Sequence, residues 1–321
     1  MTKSRFRQTK KRNSLADGIA RSVLAGDARA AARVLIMIEN RDPLANEVMK
    51  HLYSRTGRAG VVGITGSAGS GKSTLIDRMT EELRRRKKAV GILTIDPTSP
   101  FTGGALLGDR VRMREHFLDE SVFIRSLATR GGHDGLSGCL CAAVQVLDAM
   151  GKDYVLIETI GIGQDQIGIA GLADTVLVIV TPESGDDVQG LKAGVLEIAD
   201  LLVINKADRP GAEELFLNLG NLLGDHGVPT FKTSATKNEG VSALIDGIEK
   251  HRAQCVASGN HRQRTLDISR TQVLASVRDQ LMVKVQRKLG EREIAHWAQQ
   301  IADKTVDPYT AAEKILGKMG L

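Results

Sequence analysis

Aromatic side chains make up only 3% of the 321 residues, with one Trp, three Tyr and six Phe. The core is therefore expected to be packed mainly with Leu, Ile, Val and Ala. Three cysteines, Cys139, Cys141 and Cys255, are too few for a disulfide scaffold and fit a reduced, cytoplasmic setting. Cys-x-Cys is weak as a metal signal, because residues two apart on a helix do not share a face; small packed side chains are the favoured reading. No uninterrupted apolar run reaches the roughly 18 residues that mark a membrane span, so none is expected. Nor does an apolar segment directly follow the amino terminus, as a secretory signal peptide requires.

What is present is an ordinary globular composition, 42% hydrophobic and 26% charged. The formal charge of +6 is unevenly placed: Lys3, Arg5, Arg7, Lys10, Lys11 and Arg12 crowd the amino terminus. Such a tail suits nucleic acid, acidic lipid or plain solvation, and a frayed, solvated terminus is preferred. The run Arg84 to Lys88 reads first as a solvated helix end and second as a docking patch.

Periodicity divides the chain into a helical extension over 1–56, an α/β P-loop domain over 57–262 and a helical region over 263–321. In the first part, Leu15, Ile19, Val23 and Leu24 form one apolar stripe, and Ala31, Val34, Leu35 and Ile38 another. Asp42-Pro43 opens a third helix. Strands are expected at Val61–Thr65, Val90–Ile95, Tyr154–Glu158, Thr175–Val180, Leu201–Ile204 and Thr230–Thr233. These short apolar runs between helical patterns suit a largely parallel central sheet buried on both faces. Ile268 to Leu289 continues as a long helix, and Asp307-Pro308 caps another. A protruding helical arm that pairs with a second subunit is preferred for this region over a layer folded back on the same domain.

Gly66, Ser67, Ala68, Gly69, Ser70, Gly71, Lys72 and Ser73 match Gly-x4-Gly-Lys-Ser between a strand and a helix, with Thr74 next in line. Glycines let backbone N–H groups approach phosphate oxygens, and the helix start favours an anion. Lys72 is expected at the β- and γ-phosphates and the Ser73 hydroxyl on Mg²⁺. Asp96, at a strand end, and Asp109, in the glycine-rich segment beyond it, are candidate metal-shell carboxylates. Arg110 next to Asp109 is a weaker phosphate candidate. Glu158 ends the next strand, where an acid holds Mg²⁺ through water, and the Gly161 amide is suited to sense a γ-phosphate. Gln164 as a water-orienting group and His133 in proton transfer are the weaker readings of those residues.

Asn205-Lys206-Ala207-Asp208 turns at the end of a further strand. Asp208 can accept the N1–H and exocyclic amine of guanine, a donor pair adenine lacks on that edge. Asn205 is expected to polarise the loop and approach N7, and the Lys206 stem to cover the ring. Thr233, Ser234 and Ala235 come after one more strand and close the pocket, with a backbone N–H for guanine O6. The ligands expected are GTP and GDP with Mg²⁺.

The segments Gly66–Ser73, Asp96–Arg110, Glu158–Gln164 and Asn205–Asp208 together resemble the MeaB family, also called ArgK. Its members are SIMIBI-class GTPases that act as chaperones of adenosylcobalamin-dependent acyl-CoA mutases. The most specific piece is Asp96-Pro97-Thr98-Ser99-Pro100-Phe101-Thr102-Gly103-Gly104-Ala105-Leu106-Leu107-Gly108-Asp109-Arg110. The resemblance covers nearly the whole chain. It implies a homodimer held partly by the C-terminal helices, and Mg²⁺ around Ser73, Asp96, Asp109 and Glu158. It also implies that Asp186 to Lys192 is an additional switch reporting nucleotide state to the mutase. Gln164-Asp165-Gln166 departs from the Gln-Ser-Glu common in the family, so no glutamate role transfers to position 166.

The reaction expected is water attack on the γ-phosphate, slow alone and accelerated by the partner, gating delivery of adenosylcobalamin or reactivation of the mutase. Methylmalonyl-CoA mutase is the first candidate client; isobutyryl-CoA and 2-hydroxyisobutyryl-CoA mutases are alternatives. A nickel metallochaperone GTPase is a weaker reading, because no His-rich tract or Cys-x-x-Cys store is present. Asn205 and Asp208 oppose a transport ATPase, and a nucleic-acid role would rest on the basic tail alone.

Overall fold

In the computed structural model the described residues are 2–96, 116, 118–128, 133–159, 169, 171–184, 196–223 and 227–320. The chain divides into two compact units, Met1–Ser269 and Arg270–Leu321. The first opens with helices α1 (Thr2–Leu24), α2 (Ala28–Glu39) and α3 (Pro43–Leu52). Asp27 caps α2 by accepting from the N–H groups of Arg29 and Ala30, and Asp42 caps α3 ahead of Pro43. Helix α1 begins at Thr2, so the basic tail lies on a helix rather than a frayed terminus. Its buried stripe is also offset from the expected one. Ala16, Ile19, Ala20 and Val23 are buried, while Leu15 and Leu24 are 50% and 38% exposed.

The sheet has seven strands in the order β3-β2-β4-β1-β5-β6-β7, every pair parallel. They are β1 (Gly60–Gly66), β2 (Val90–Asp96), β3 (Val122–Ala128), β4 (Tyr154–Glu158), β5 (Thr175–Val180), β6 (Leu201–Ile204) and β7 (Thr230–Lys232). Strands β1, β4, β5 and β6 are buried along their whole length, which is why each reads as an unbroken apolar run. Alternation is still at work. Val176, Val178 and Val180 of β5 join the core on one face, and Leu177 and Ile179 join that on the other.

Strand β3 was not among the expected strands. It is an edge strand whose apolar run is broken by Arg125 and Ser126, and both have partners. Arg125 pairs with Glu39 of α2 at 2.7 Å, and the Ser126 hydroxyl lies 2.8 Å from that of Thr94.

The core on one face is built with α1–α3, α5 (His133–Ala149) and α6 (Ala212–Leu223), and that on the other with α4 (Lys72–Arg85) and α7 (Val241–Ala257). Cys139 and Cys141 sit half-buried on α5 and Cys255 half-buried on α7, all three outside any disulfide.

The basic end of α4 is exposed at Arg85 and Lys87, as expected, but Arg84 and Arg86 form a clamp. Arg84 binds Asp119 at 2.7 Å, and Arg86 reaches Glu82, Asp246 and the Ser242 carbonyl, tying α4 to α7. Glu82 is central to it. Its carboxyl is lowered to about 2, because hydrogen bonds from Arg85, then Arg86 and Ser242, outweigh the cost of burying the charge. The folded state thus holds this group ionised below its unfolded range. Its contribution to stability is complete above about pH 4.5 and is lost as pH falls toward 2. Glu82→Gln should therefore lower the unfolding temperature near neutrality. Thermal melts should show the gap from the native chain closing between pH 5 and about 2.5; a constant gap would contradict the assignment.

Helices α8 (Asn260–Ala302) and α9 (Pro308–Met319) complete the chain. Gly290, at φ 68° and ψ 164°, breaks the helical path of α8 directly after Leu289, where the expected long helix ended. Within the second unit Lys318 pairs with Glu293 at 2.6 Å, and Asp307 caps α9. Among the described residues no helix is long and apolar enough to cross a membrane.

Candidate nucleotide site

Because the strands are parallel, their carboxyl ends share one edge of the sheet, where open α/β folds place ligands. Strand β1 lies between β4 and β5 and runs into the glycine loop. Glu158 ends β4 with its Cα in register with Ile64 of β1, which brings a carboxylate to the flank of that loop.

Two glycines of the loop are there because nothing larger fits. At Gly66 (φ 153°) a Cβ would lie 2.4 Å from the Ile179 carbonyl oxygen; at Gly71 (φ 86°) it would lie 2.5 Å from Asn205 Nδ2. Gly71 is also the residue before α4, whose first turn directs its N–H groups into the loop. Ser67 is half-buried, and Ala68, Gly69 and Thr74 are exposed at the mouth. The Ser70 hydroxyl is buried and has no hydrogen-bond partner among the described residues.

Lys72 is 7% exposed, and its Nζ donates to the carbonyls of Gly66 at 3.0 Å and Ser67 at 2.9 Å. The ammonium is thereby held across the loop. The Ser73 hydroxyl donates to Glu158 Oε1 at 2.7 Å, and both residues are buried. Of the expected metal set, Ser73 and Glu158 are brought together. Asp96 ends β2, where its Cα pairs with Ala128 of β3, but its side chain lies outside the described residues. Asp109, Arg110, Gly161, Gln164 and the segment Asp186–Lys192 lie outside them as well, as does the side chain of His133.

Asn205 is 2% exposed. Its Nδ2 donates to the Ser70 carbonyl at 2.8 Å, while its Oδ1 accepts from the Thr233 hydroxyl at 3.1 Å and the Ala235 N–H at 3.3 Å. The amide thus fastens the glycine loop to the turn after β7. The Ala235 N–H is engaged in that tie.

Asp208 Oδ1 accepts from the Ser234 hydroxyl at 2.8 Å, and Lys237 lies 3.4 Å from Oδ2. Those contacts, the Ser234 hydrogen bond foremost, hold the Asp208 carboxyl below the usual carboxylate range. Lys206 has φ 57°, an unusual conformation for a lysine, and its Nζ binds Glu183 at 2.8 Å. Sequence reasoning passed over Glu183 and Lys237, and no motif spacing marks the first of these.

A glycine loop and an Asn-Lys-x-Asp turn fastened to each other by one buried amide make this chain a P-loop GTPase. The model of the family of methylmalonyl Co-A mutase-associated GTPase MeaB matches residues 31–289, and the chain belongs to that family.

A putative GTPase of Pyrococcus abyssi is 41% identical over 94% of this chain and 95% of its own length. The methylmalonic aciduria type A homolog, mitochondrial, of Caenorhabditis elegans is 30% identical over 92% of this chain and 81% of its own. A crystal structure of LAO/AO transport system kinase superimposes with a TM-score of 0.68 at 22% identity, covering 96% of this chain and 98% of that one, a likeness of fold.

Proposed function

We propose that this protein hydrolyses GTP to gate adenosylcobalamin delivery to, or reactivation of, a cobalamin-dependent acyl-CoA mutase, with methylmalonyl-CoA mutase as the first candidate. The observation that carries the nucleotide half is the Asn205 bridge, which joins base-reading and phosphate loops into one site. The mutase half rests on family membership and on the C. elegans relative.

In this reading Gly66–Ser73 with Thr74 cradles the phosphates, Asp208 accepts the guanine donors and the Lys206 stem covers the ring. The buried oxygens of Ser73 and Glu158, 2.7 Å apart, are hard donors that fit a magnesium ion. Asp96 and Asp109 complete the proposed shell. The ion, when bound, supplies charge neutralisation at the β- and γ-phosphates.

In hydrolysis a bond forms from water oxygen to the γ-phosphorus, the bond to the bridging oxygen breaks, and GDP and phosphate leave. Lys72 stabilises the charge that develops, and the Gly161 amide senses the γ-phosphate. Asp186–Lys192 is proposed to carry the nucleotide state to the mutase. Val273, Leu274, Val277 and Ile294, all exposed within the second unit, suit burial against a second copy in a homodimer.

Mixing the full chain with purified methylmalonyl-CoA, isobutyryl-CoA and 2-hydroxyisobutyryl-CoA mutases should give a complex with one of them and a rise of at least about tenfold in GTP turnover. Absence of complex and stimulation with all three would sink the chaperone reading and leave the GTPase assignment standing.

A further inference from the structure

Beyond the guanine-contacting loop stands a carboxylate that the base-reading motif does not account for. Glu183 lies on the short turn Pro182–Ser184 that leaves β5. Its Oε2 accepts from Lys206 Nζ at 2.8 Å, and its Oε1 meets the Arg209 guanidinium. Both cations belong to the loop that begins at Asn205, whose own N–H donates to the Val180 carbonyl at the end of β5. Strand β5 and the base loop are thus tied twice, by backbone at Asn205 and by side chains at Glu183.

The contact has a use because of where it holds the lysine. Lys206 has a left-handed backbone conformation, so its stem leaves the loop in a direction an ordinary turn would not give. A long side chain in that position is free to sample many rotamers, and ordering it when a ligand arrives weakens binding. With its ammonium on Glu183, the stem is ordered in advance, two residues from Asp208.

We propose that Glu183 is a positioning residue of the guanine site, which pre-orders the Lys206 stem for the purine face and uses Arg209 to hold its own carboxylate in place. This rests on the base-reading assignment of Lys206 and Asp208. Glu183 touches neither the reacting atoms nor the base edge, so its removal acts on nucleotide retention and not on the chemical step.

Measured on the full chain with a fluorescent GDP analogue, Glu183→Gln and Glu183→Ala should speed GDP release and raise the KM for GTP by about three- to tenfold. That is the range for a partly exposed ion network that orders a ligand-facing side chain. At saturating GTP, kcat should stay within about twofold. Raising salt should speed release from the native chain toward the variants, since screening weakens the same contact. Arg209→Ala should have a smaller effect, less than additive with Glu183→Gln. Glu47→Gln, which removes the half-buried partner of exposed Lys50 on α3, is the control for general loss of charge.

Unchanged GDP release in both Glu183 variants would overturn the proposal. So would an equal change in the Glu47 control, or a fall in kcat without a change in KM. Failure of the base-reading assignment itself is distinguishable. In that case Asp208→Asn would leave guanine preference intact, whereas a normal Asp208→Asn result beside silent Glu183 variants sinks the positioning role alone.

Discussion

Lys72→Ala is expected to lower GTP turnover by at least about a hundredfold, the scale seen when one preorganised donor is removed from a developing anion. The structure makes the effect twofold in origin. In the resting loop the ammonium is 7% exposed and binds the Gly66 and Ser67 carbonyls, so it holds the loop's curvature before any phosphate arrives. In the proposed role the same group then meets phosphate oxygens when nucleotide binds and stabilises charge as the bond to the leaving oxygen stretches. Alanine removes both effects and also leaves two loop carbonyls short of a donor. Arginine should not rescue, because the larger planar guanidinium does not fit where a buried point charge sits. Single-turnover hydrolysis, with a thermal melt beside it to show an intact fold, checks the claim. Turnover within a few-fold of the native chain would contradict the phosphate role.

Asp208→Asn is expected to weaken GTP binding by about a hundred- to a thousandfold and to shift preference toward XTP. Two hydrogen bonds to a charged acceptor, each worth roughly 1.5–3 kcal/mol, are replaced by one bond and one donor facing a donor. Xanthine carries a carbonyl where guanine carries its amine, so it can accept from the new amide while its N1–H is still received. The local frame favours a clean outcome. Ser234 donates to Asp208 Oδ1 at 2.8 Å and can donate equally to an amide oxygen. The loss specific to the charge is the ionic contact with Lys237. Competition binding with GTP, XTP and ITP reads this directly; guanine discrimination that survives the substitution would contradict the assignment.

Both positions were visible without a structure, as were all six expected strands to within a residue at each end. Strand β3 escaped because its face is divided. Phe123 and Leu127 are buried while Arg125 and Ser126 satisfy themselves on Glu39 and Thr94, so no apolar run announces an edge strand of this kind. The stripe of α1 was misplaced for a related reason. Leucines carry the hydrophobic signal, but Ala16 and Ala20, small enough for close helix packing, were the residues taken inward, and Leu15 was left in solvent.

The amino-acid sequence by itself determined the phosphate loop, the Asn-Lys-x-Asp turn and the parallel α/β frame. Each depends on contiguous residues, either backbone N–H groups bent around an anion or short apolar runs of fixed period. Tertiary structure alone decided how these parts meet. Ser73 and Glu158 are 85 residues apart, Asn205 and Ser70 are 135 apart, and Lys206 and Glu183 are 23 apart. Their contacts follow from the strand order that sets β4 and β5 on either side of β1 and β6 beside β5. No local spacing encodes that order, because it is settled by which buried faces pack together across the whole sheet.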